Sequence, residues 1–170
     1  AFCMPIEGDG NLFKNYNLEK EIDVLFFGRV TQDRKEFLDF ISSKGISVKM
    51  VGESNDFVSI EELSKLISKS KIVLNFSKSW SRSGAVSNYA SGDIYKFYYM
   101  LKGRVAVSGL CGTLCISEYT PGLEIIFRGD EIPTFYTKEE CVKILKGFLE
   151  DKELLSRSTA KFCSKISRLY

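Results

Sequence analysis

Apolar and polar positions along the chain alternate in blocks that predict strands and helices in turn. Short apolar segments rich in β-branched and aromatic residues predict buried strands over 22–27, 46–51, 71–76, 113–117 and 132–136. Apolar residues at helical spacing predict helices over 34–44, from Ser59, over 93–110 with a break at Gly103, over 121–127, from Thr137, and over 151–168. The alternation indicates right-handed crossovers, hence a doubly wound parallel sheet in three α/β/α layers.

Two short sequences predict where helices begin. Ser59 and Thr137 are each followed three residues later by glutamate, Glu62 and Glu140. This spacing is typical of a capping box, in which the two side chains satisfy backbone N–H groups of the first helical turn.

Length and composition favour one globular domain. The chain has 170 residues, 44% hydrophobic and 27% charged. We expect a linker-like segment over 1–20 and a single domain over 21–170. The chain begins without Met or a signal-peptide pattern, so we expect a piece of a longer protein.

Charge and hydropathy bear on the partners. The net charge of +2 gives no bulk electrostatic reason to expect nucleic-acid binding. No apolar run approaches the roughly 18 residues of a membrane span, so none is predicted.

Cysteine and histidine usage narrows the chemistry. The five cysteines show no CxxC or paired zinc spacing, which fits core residues in a reducing, cytoplasmic compartment. The chain has no histidine, which excludes Ser-His-Asp and Cys-His mechanisms and histidine metal sites.

Candidate binding residues follow the predicted strands, because ligands of such sheets bind at the carboxyl ends. These ends are Gly28-Arg29, Gly52-Glu53, Ser77 and Ser117-Glu118. Arg29 and Arg34 flank the first strand–helix turn and can both reach one diphosphate. The alternative is a pair of solvated arginines on an ordinary loop.

Two further segments predict an anion site. Lys102-Gly103-Arg104 forms a basic turn, with a helix kink carrying exposed charges as the alternative. A helix opening behind Pro121-Gly122 offers free backbone N–H groups to an anion. Glu118 and Glu124 can bind sugar or ribose hydroxyls, or can simply favour the helix dipole.

The polar segment 77–92, with Trp80, Arg82 and Tyr89, is long for a loop. It is either a substrate lid or a mobile insertion. We expect it to be weakly ordered without ligand.

The order of these motifs resembles the C-terminal half of GT-B glycosyltransferases. The resemblance is greatest to the group of spore-maturation CgeB-like proteins, related to the family 4 glycosyltransferases, and covers nearly the whole chain. It is carried by Phe27-Gly28-Arg29 with Arg34, the segment 71–77, Lys102-Gly103-Arg104, the segment 118–124, Phe127, Glu131 and Tyr136.

The resemblance implies a Rossmann-like domain that binds a nucleotide diphosphate sugar, the donor of a glycosyl transfer. A missing N-terminal domain would carry the acceptor site and any catalytic base. The donor and phosphate site would comprise Gly28, Arg29, Arg34, Ser77, Lys102, Arg104, Glu118, Tyr119, Thr120 and Gly122. The resemblance also implies that no metal is bound and that no cofactor is needed besides the donor substrate. Catalytic residues are not identified.

One position departs from the family pattern. A Phe-Glu pair normally follows the basic turn, and its Glu holds ribose hydroxyls, but Ala106 and Val107 stand here. The alternative function is therefore a non-catalytic binding or interaction module that has lost donor recognition. A flavodoxin-like receiver domain is a third alternative, disfavoured because no acidic cluster follows the first strand.

Overall fold

Five parallel strands form the centre of the molecule in a computed structural model that describes residues 8–52, 58–78 and 99–170. The strands are β1 (Ile22–Phe27), β2 (Val48–Val51), β3 (Ser70–Asn75), β4 (Leu114–Glu118) and β5 (Thr134–Phe135). The helices are α1 (Gln32–Ser43), α2 (Ile60–Ser68), α3 (Arg104–Leu110), α4 (Leu123–Ile126), α5 (Lys138–Glu150) and α6 (Lys152–Ser167). The predicted α/β class with a parallel sheet is confirmed.

The strands lie in the order β2-β1-β3-β4-β5. The chain leaves β1 toward β2 on one side and continues to β3 on the other, which places the topological switch point between β1 and β3. In doubly wound sheets, the crevice at this point is where ligands bind.

Two buried apolar clusters cover the sheet because strand residues point alternately to its two faces. Val24 and Phe26 of β1 belong to the cluster with α1, α5 and α6. Leu25 belongs to the cluster with α2 and Val107 of α3. The alternation explains why β1 reads as a continuous apolar run.

Several elements are shorter than predicted. β2 begins at Val48, although Ile46 is already buried. β5 has two residues, since Pro133 has no N–H to donate to the ladder and only its carbonyl accepts, from the Ser117 N–H at 3.0 Å. α4 is a single turn of four residues instead of the predicted seven. Both capping boxes are confirmed at Ser59 and Thr137.

The segment before β1 is hydrogen-bonded to the domain. The Ser64 hydroxyl of α2 accepts from the Lys14 N–H at 3.2 Å, and the Ser68 hydroxyl accepts from the Tyr16 N–H at 3.2 Å. No helix in the described ranges has the length and apolar character needed to cross a membrane.

Arg104 ties β1 to β3 across the switch point. Its Nε donates to the carbonyl of Phe27 at 2.5 Å, and Nη1 donates to Oδ1 of Asn75 at 3.1 Å. The guanidinium carbon lies 4.9 Å from the centre of the Phe26 ring, a cation–π distance. These two hydrogen bonds of Arg104 therefore fix the spacing of the two strand ends that flank the crevice.

Gly109 allows α3 and α6 to pack closely. A Cβ at this position would lie 2.8 Å from Cβ of Ile166, closer than real side-chain contacts allow. We expect Gly109→Ala to lower the free energy of unfolding by about 1–3 kcal/mol through overpacking. Gly147 in α5 has open space around it, and Gly147→Ala should stabilise the protein by about 0.5–1 kcal/mol. Urea denaturation of both variants checks this, and equal effects would contradict the close helix contact.

A double-mutant cycle measures how much the hydrogen bond between Arg104 and Asn75 contributes to the stability of the fold. Arg104→Met, Asn75→Ala and the double variant are compared by urea denaturation. We expect a coupling energy of about 1–2 kcal/mol, since a charged donor and a buried acceptor lose each other. Additive effects would show that the 3.1 Å contact contributes nothing to stability.

Candidate functional site

The turn after β1 brings a glycine and two arginines to the carboxyl edge of the sheet. Gly28 has φ +107°, a left-handed conformation that favours glycine. A Cβ on Gly28 would lie 2.7 Å from Nη2 of Arg104. Glycine is therefore needed here both for the turn and for the close approach of the guanidinium.

Arg29 and Arg34 differ in exposure. Arg29 is exposed, whereas Arg34, in the first turn of α1, is buried. Nη1 of Arg34 donates to the carbonyl of Arg29 at 2.8 Å, so both residues lie beside the same turn. Nε of Arg34 is buried and has no hydrogen-bond partner among the described residues. The solvated alternative thus applies to Arg29 and not to Arg34.

The charge of Arg34 lowers the pKa of two other cations at this edge, Lys102 and Arg104. Burial lowers the pKa of Arg34, while the charge of Glu118 opposes the shift and that of Arg29 adds to it. Burial lowers the pKa of Lys102, and the charges of Arg34 and Arg104 lower it further. Burial and then the Arg34 charge lower the pKa of Arg104 to about 10. Burial is the largest cause of all three shifts, so these cations lie in partly desolvated space.

The side chain of Glu118, at the end of β4, is hydrogen-bonded to the backbone that follows β3. Its side chain is 2% exposed, and Oε2 accepts from the N–H groups of Ser77 and Lys78, both at 2.9 Å. The Ser77 hydroxyl donates to the Glu118 carbonyl at 2.9 Å. Glu118 therefore holds the backbone after β3 in place, a role that its position in the sequence does not reveal. Its predicted contact with sugar hydroxyls remains a prediction.

The helix that opens after β4 offers fewer free backbone N–H groups to an anion than the sequence predicted. Thr120 is buried, and its carbonyl accepts from the N–H of Leu123 at 3.1 Å. Gly122 has φ +92° and precedes α4. With a single helical turn, the macrodipole available to an anion here is small, so the cationic side chains must contribute most of the charge.

The side chain of Tyr119 belongs to an aromatic pair and not to the group of cations. Its ring stacks on that of Tyr136, with centroids 4.8 Å apart. Its hydroxyl lies 3.5 Å from Oε1 of Glu124. These side chains form an aromatic and acidic border beyond the ends of β4 and β5.

Asn75 is a site residue that the sequence-based selection missed. Only 1% of it is exposed, and its Nδ2 donates to the Ser117 hydroxyl at 2.9 Å. Its Oδ1 orients Arg104, as described above. The available signal was a single amide side chain at the end of an otherwise apolar strand.

The predicted residues therefore fall into three groups along one edge. The first group lies around the end of β1 and comprises Gly28, Arg29, Arg34, Lys102 and Arg104. Ser77 and Glu118 join the ends of β3 and β4, and Tyr119, Thr120 and Gly122 lie beyond β4. Most of the predicted loop, with Trp80, Arg82 and Tyr89, lies outside the described residues.

Comparison with solved structures identifies a similar chain. Sucrose-phosphate synthase from Thermosynechococcus elongatus matches with a TM-score of 0.63 at 12% sequence identity. The match covers 98% of this chain and 48% of the synthase chain. The likeness shows the fold, one half of a GT-B architecture, and this chain spans about half the length of that structure.

Comparison at the level of sequence gives a family. No curated protein matches the chain. A family model described as glycosyl transferase-like matches residues 31–168, which include α1, the basic turn and all the later elements. The chain belongs to this glycosyl transferase-like family.

Proposed function

We propose that the chain is the donor-binding domain of a GT-B glycosyltransferase whose donor is a nucleotide diphosphate sugar. The observation that carries this proposal is the cationic group beside the switch point of the sheet, in which the charge of buried Arg34 lowers the pKa of both Lys102 and Arg104. Membership of the glycosyl transferase-like family supports glycosyl transfer as the chemistry of this site.

The cations suit a diphosphate. Arg34 is pre-positioned by its bond to the Arg29 carbonyl and has an unused buried Nε donor. Lys102 adds a flexible point charge, and Arg29 offers an exposed guanidinium next to the same turn. A bound diphosphate relieves the repulsion among these charges and accepts bidentate hydrogen bonds from arginine.

The same charges assist bond cleavage. When the glycosidic bond to the donor phosphate breaks, negative charge develops on the nucleotide diphosphate that leaves. Fixed cations near that oxygen stabilise the charge without reorganising, which lowers the barrier. In this proposal Arg34 and Lys102 contact the leaving group, and Arg104 positions the turn at Gly28.

The acceptor and the general base lie on another domain in this proposal. The GT-B neighbour is about twice as long as this chain, which covers 48% of it. The carboxyl edge of the sheet would form one wall of a cleft, and the second domain would form the other and exclude water.

A second candidate function is a non-catalytic binding or interaction module. Val107 favours it, because this residue packs in the apolar cluster with Leu25 and Val73, where the family pattern has a ribose-binding Glu. No carboxylate is then available at this position for ribose. Absence of binding to every nucleoside diphosphate would favour this candidate.

Calorimetric titration with UDP, GDP and ADP tests the donor site. We expect weak but measurable binding of at least one of them by the 170-residue chain. Arg34→Met should cost about 1.5–3 kcal/mol of that affinity, the range for hydrogen bonds to charged groups. Lys102→Met should weaken binding in the same direction.

Arg157→Met is the matched control for this titration. It removes the same charge from an exposed position on α6. If Arg34→Met, with an unchanged circular dichroism spectrum, binds the nucleotide as tightly as Arg157→Met does, the diphosphate site is not where we place it.

Transfer activity separates the domain from a complete enzyme. The isolated chain leaves its donor open to water on one side, so we expect no glycosyl transfer to a defined acceptor. Incubation with radiolabelled nucleotide sugars and chromatographic analysis checks this. Robust transfer by these 170 residues would show that no second domain is needed.

A further inference from the structure

A cavity lies at the amino-terminal edge of the sheet, opposite the edge that carries the cations. It has a volume of about 710 Å³ and is bounded by the segment before β1, the start of β3, the turn before β4, and the end of α5 together with α6. Leu149, Leu155 and Ala160 give it an apolar wall, and Ser156 and Thr159 contribute hydroxyl groups. A partly apolar cavity of this size with a few polar groups is typical of a small-molecule site.

Lys20 places a positive charge in this cavity. Its Nζ donates to the Gly112 carbonyl at 3.0 Å and to Oγ1 of Thr113 at 2.8 Å. Thr113 in turn donates to the carbonyl of Ile67 at 2.7 Å, so the ammonium is held by an ordered network. An ammonium has three N–H donors, and these two bonds leave one for a ligand.

Among the described residues, Lys20 has no carboxylate as a salt-bridge partner. Lys71, which also lines the cavity, is paired with Asp23 at 2.6 Å. Burial lowers the pKa of Lys20 to about 8, although the nearby thiols of Cys163 and Cys111 oppose this shift.

We propose that this cavity binds a small amphipathic carboxylate, whose charge pairs with Lys20 and whose apolar body packs against Leu149, Leu155 and Ala160. One uncompensated ammonium suits a single negative charge better than a phosphate dianion. The site is separate from the carboxyl edge and does not depend on the proposed donor site.

Octanoate and octanol are matched probes for this site, since they share an alkyl chain and differ in charge. Binding is followed by ¹H–¹⁵N NMR titration of the full chain at pH 7. We expect octanoate to shift the amide signals around Lys20, Gly112 and 149–163 saturably, with octanol at least about tenfold weaker.

Three variants locate the interaction. Lys20→Met should weaken octanoate binding at least about tenfold, whereas Lys146→Met, at an exposed position of α5, should leave it unchanged. Ala160→Trp should block the cavity while retaining Lys20, which keeps the test decisive if Lys20→Met folds poorly.

The pH dependence gives an independent readout. Octanoate remains charged above pH 7, while Lys20 loses its proton as pH rises through about 8. Octanoate binding should therefore weaken between pH 7 and 9.5. The other ionisable groups near Lys20 are Glu19, Lys71, Lys152, Cys111 and Cys163. Burial raises the pKa of both thiols, that of Cys163 to about 11.

Equal affinity for octanoate and octanol would overturn the proposal. So would shifts confined to another part of the molecule, an unaffected Lys20→Met variant, or no saturable shift with octanoate.

Discussion

The structure of this edge of the molecule depends on the interaction among the positive charges of Arg34, Lys102 and Arg104 at the switch point of the sheet. Arg104 is held by the Phe27 carbonyl and by Asn75, against the face of Phe26. Arg34 is buried nearby, and its charge lowers the pKa of Arg104. Such an arrangement costs stability through desolvation and repulsion unless an anion joins it. This destabilising arrangement of charges lies at the switch point, which is where doubly wound sheets bind ligands.

Backbone interactions hold that arrangement in position. Gly28 adopts a conformation that few other residues tolerate and leaves room for Arg104. Glu118 accepts two N–H groups after β3, so the strand end facing Arg104 is fixed from the other side. The positions of the cations thus depend on contacts between segments far apart in the chain. These contacts set the geometry of the edge at which we propose that a diphosphate binds.

Local signals in the sequence predicted local structure well. The strands β1 and β3 were evident because both faces are buried, and the two capping boxes depend on residues only three apart. β5 and α4 were predicted too long, since apolar content at 132–136 and 121–127 does not show where pairing or helical bonding ends.

Long-range contacts were beyond the reach of the sequence. The basic turn suggested either an anion site or exposed charges, yet Arg104 is partly buried and reaches a carbonyl 77 positions away. Asn75 and Glu118 likewise act through partners on other strands. The cavity at Lys20 had no signal at all, because its walls come from four separate segments.

A crystal structure of the chain with a bound nucleoside diphosphate tests the central claim most directly. We predict that the two phosphates lie beside the turn at Gly28, within hydrogen-bond distance of Arg34 and Lys102, with Arg104 still bonded to Phe27 and Asn75. A nucleotide bound elsewhere, with Arg34 and Lys102 unchanged and free of phosphate, would contradict the account.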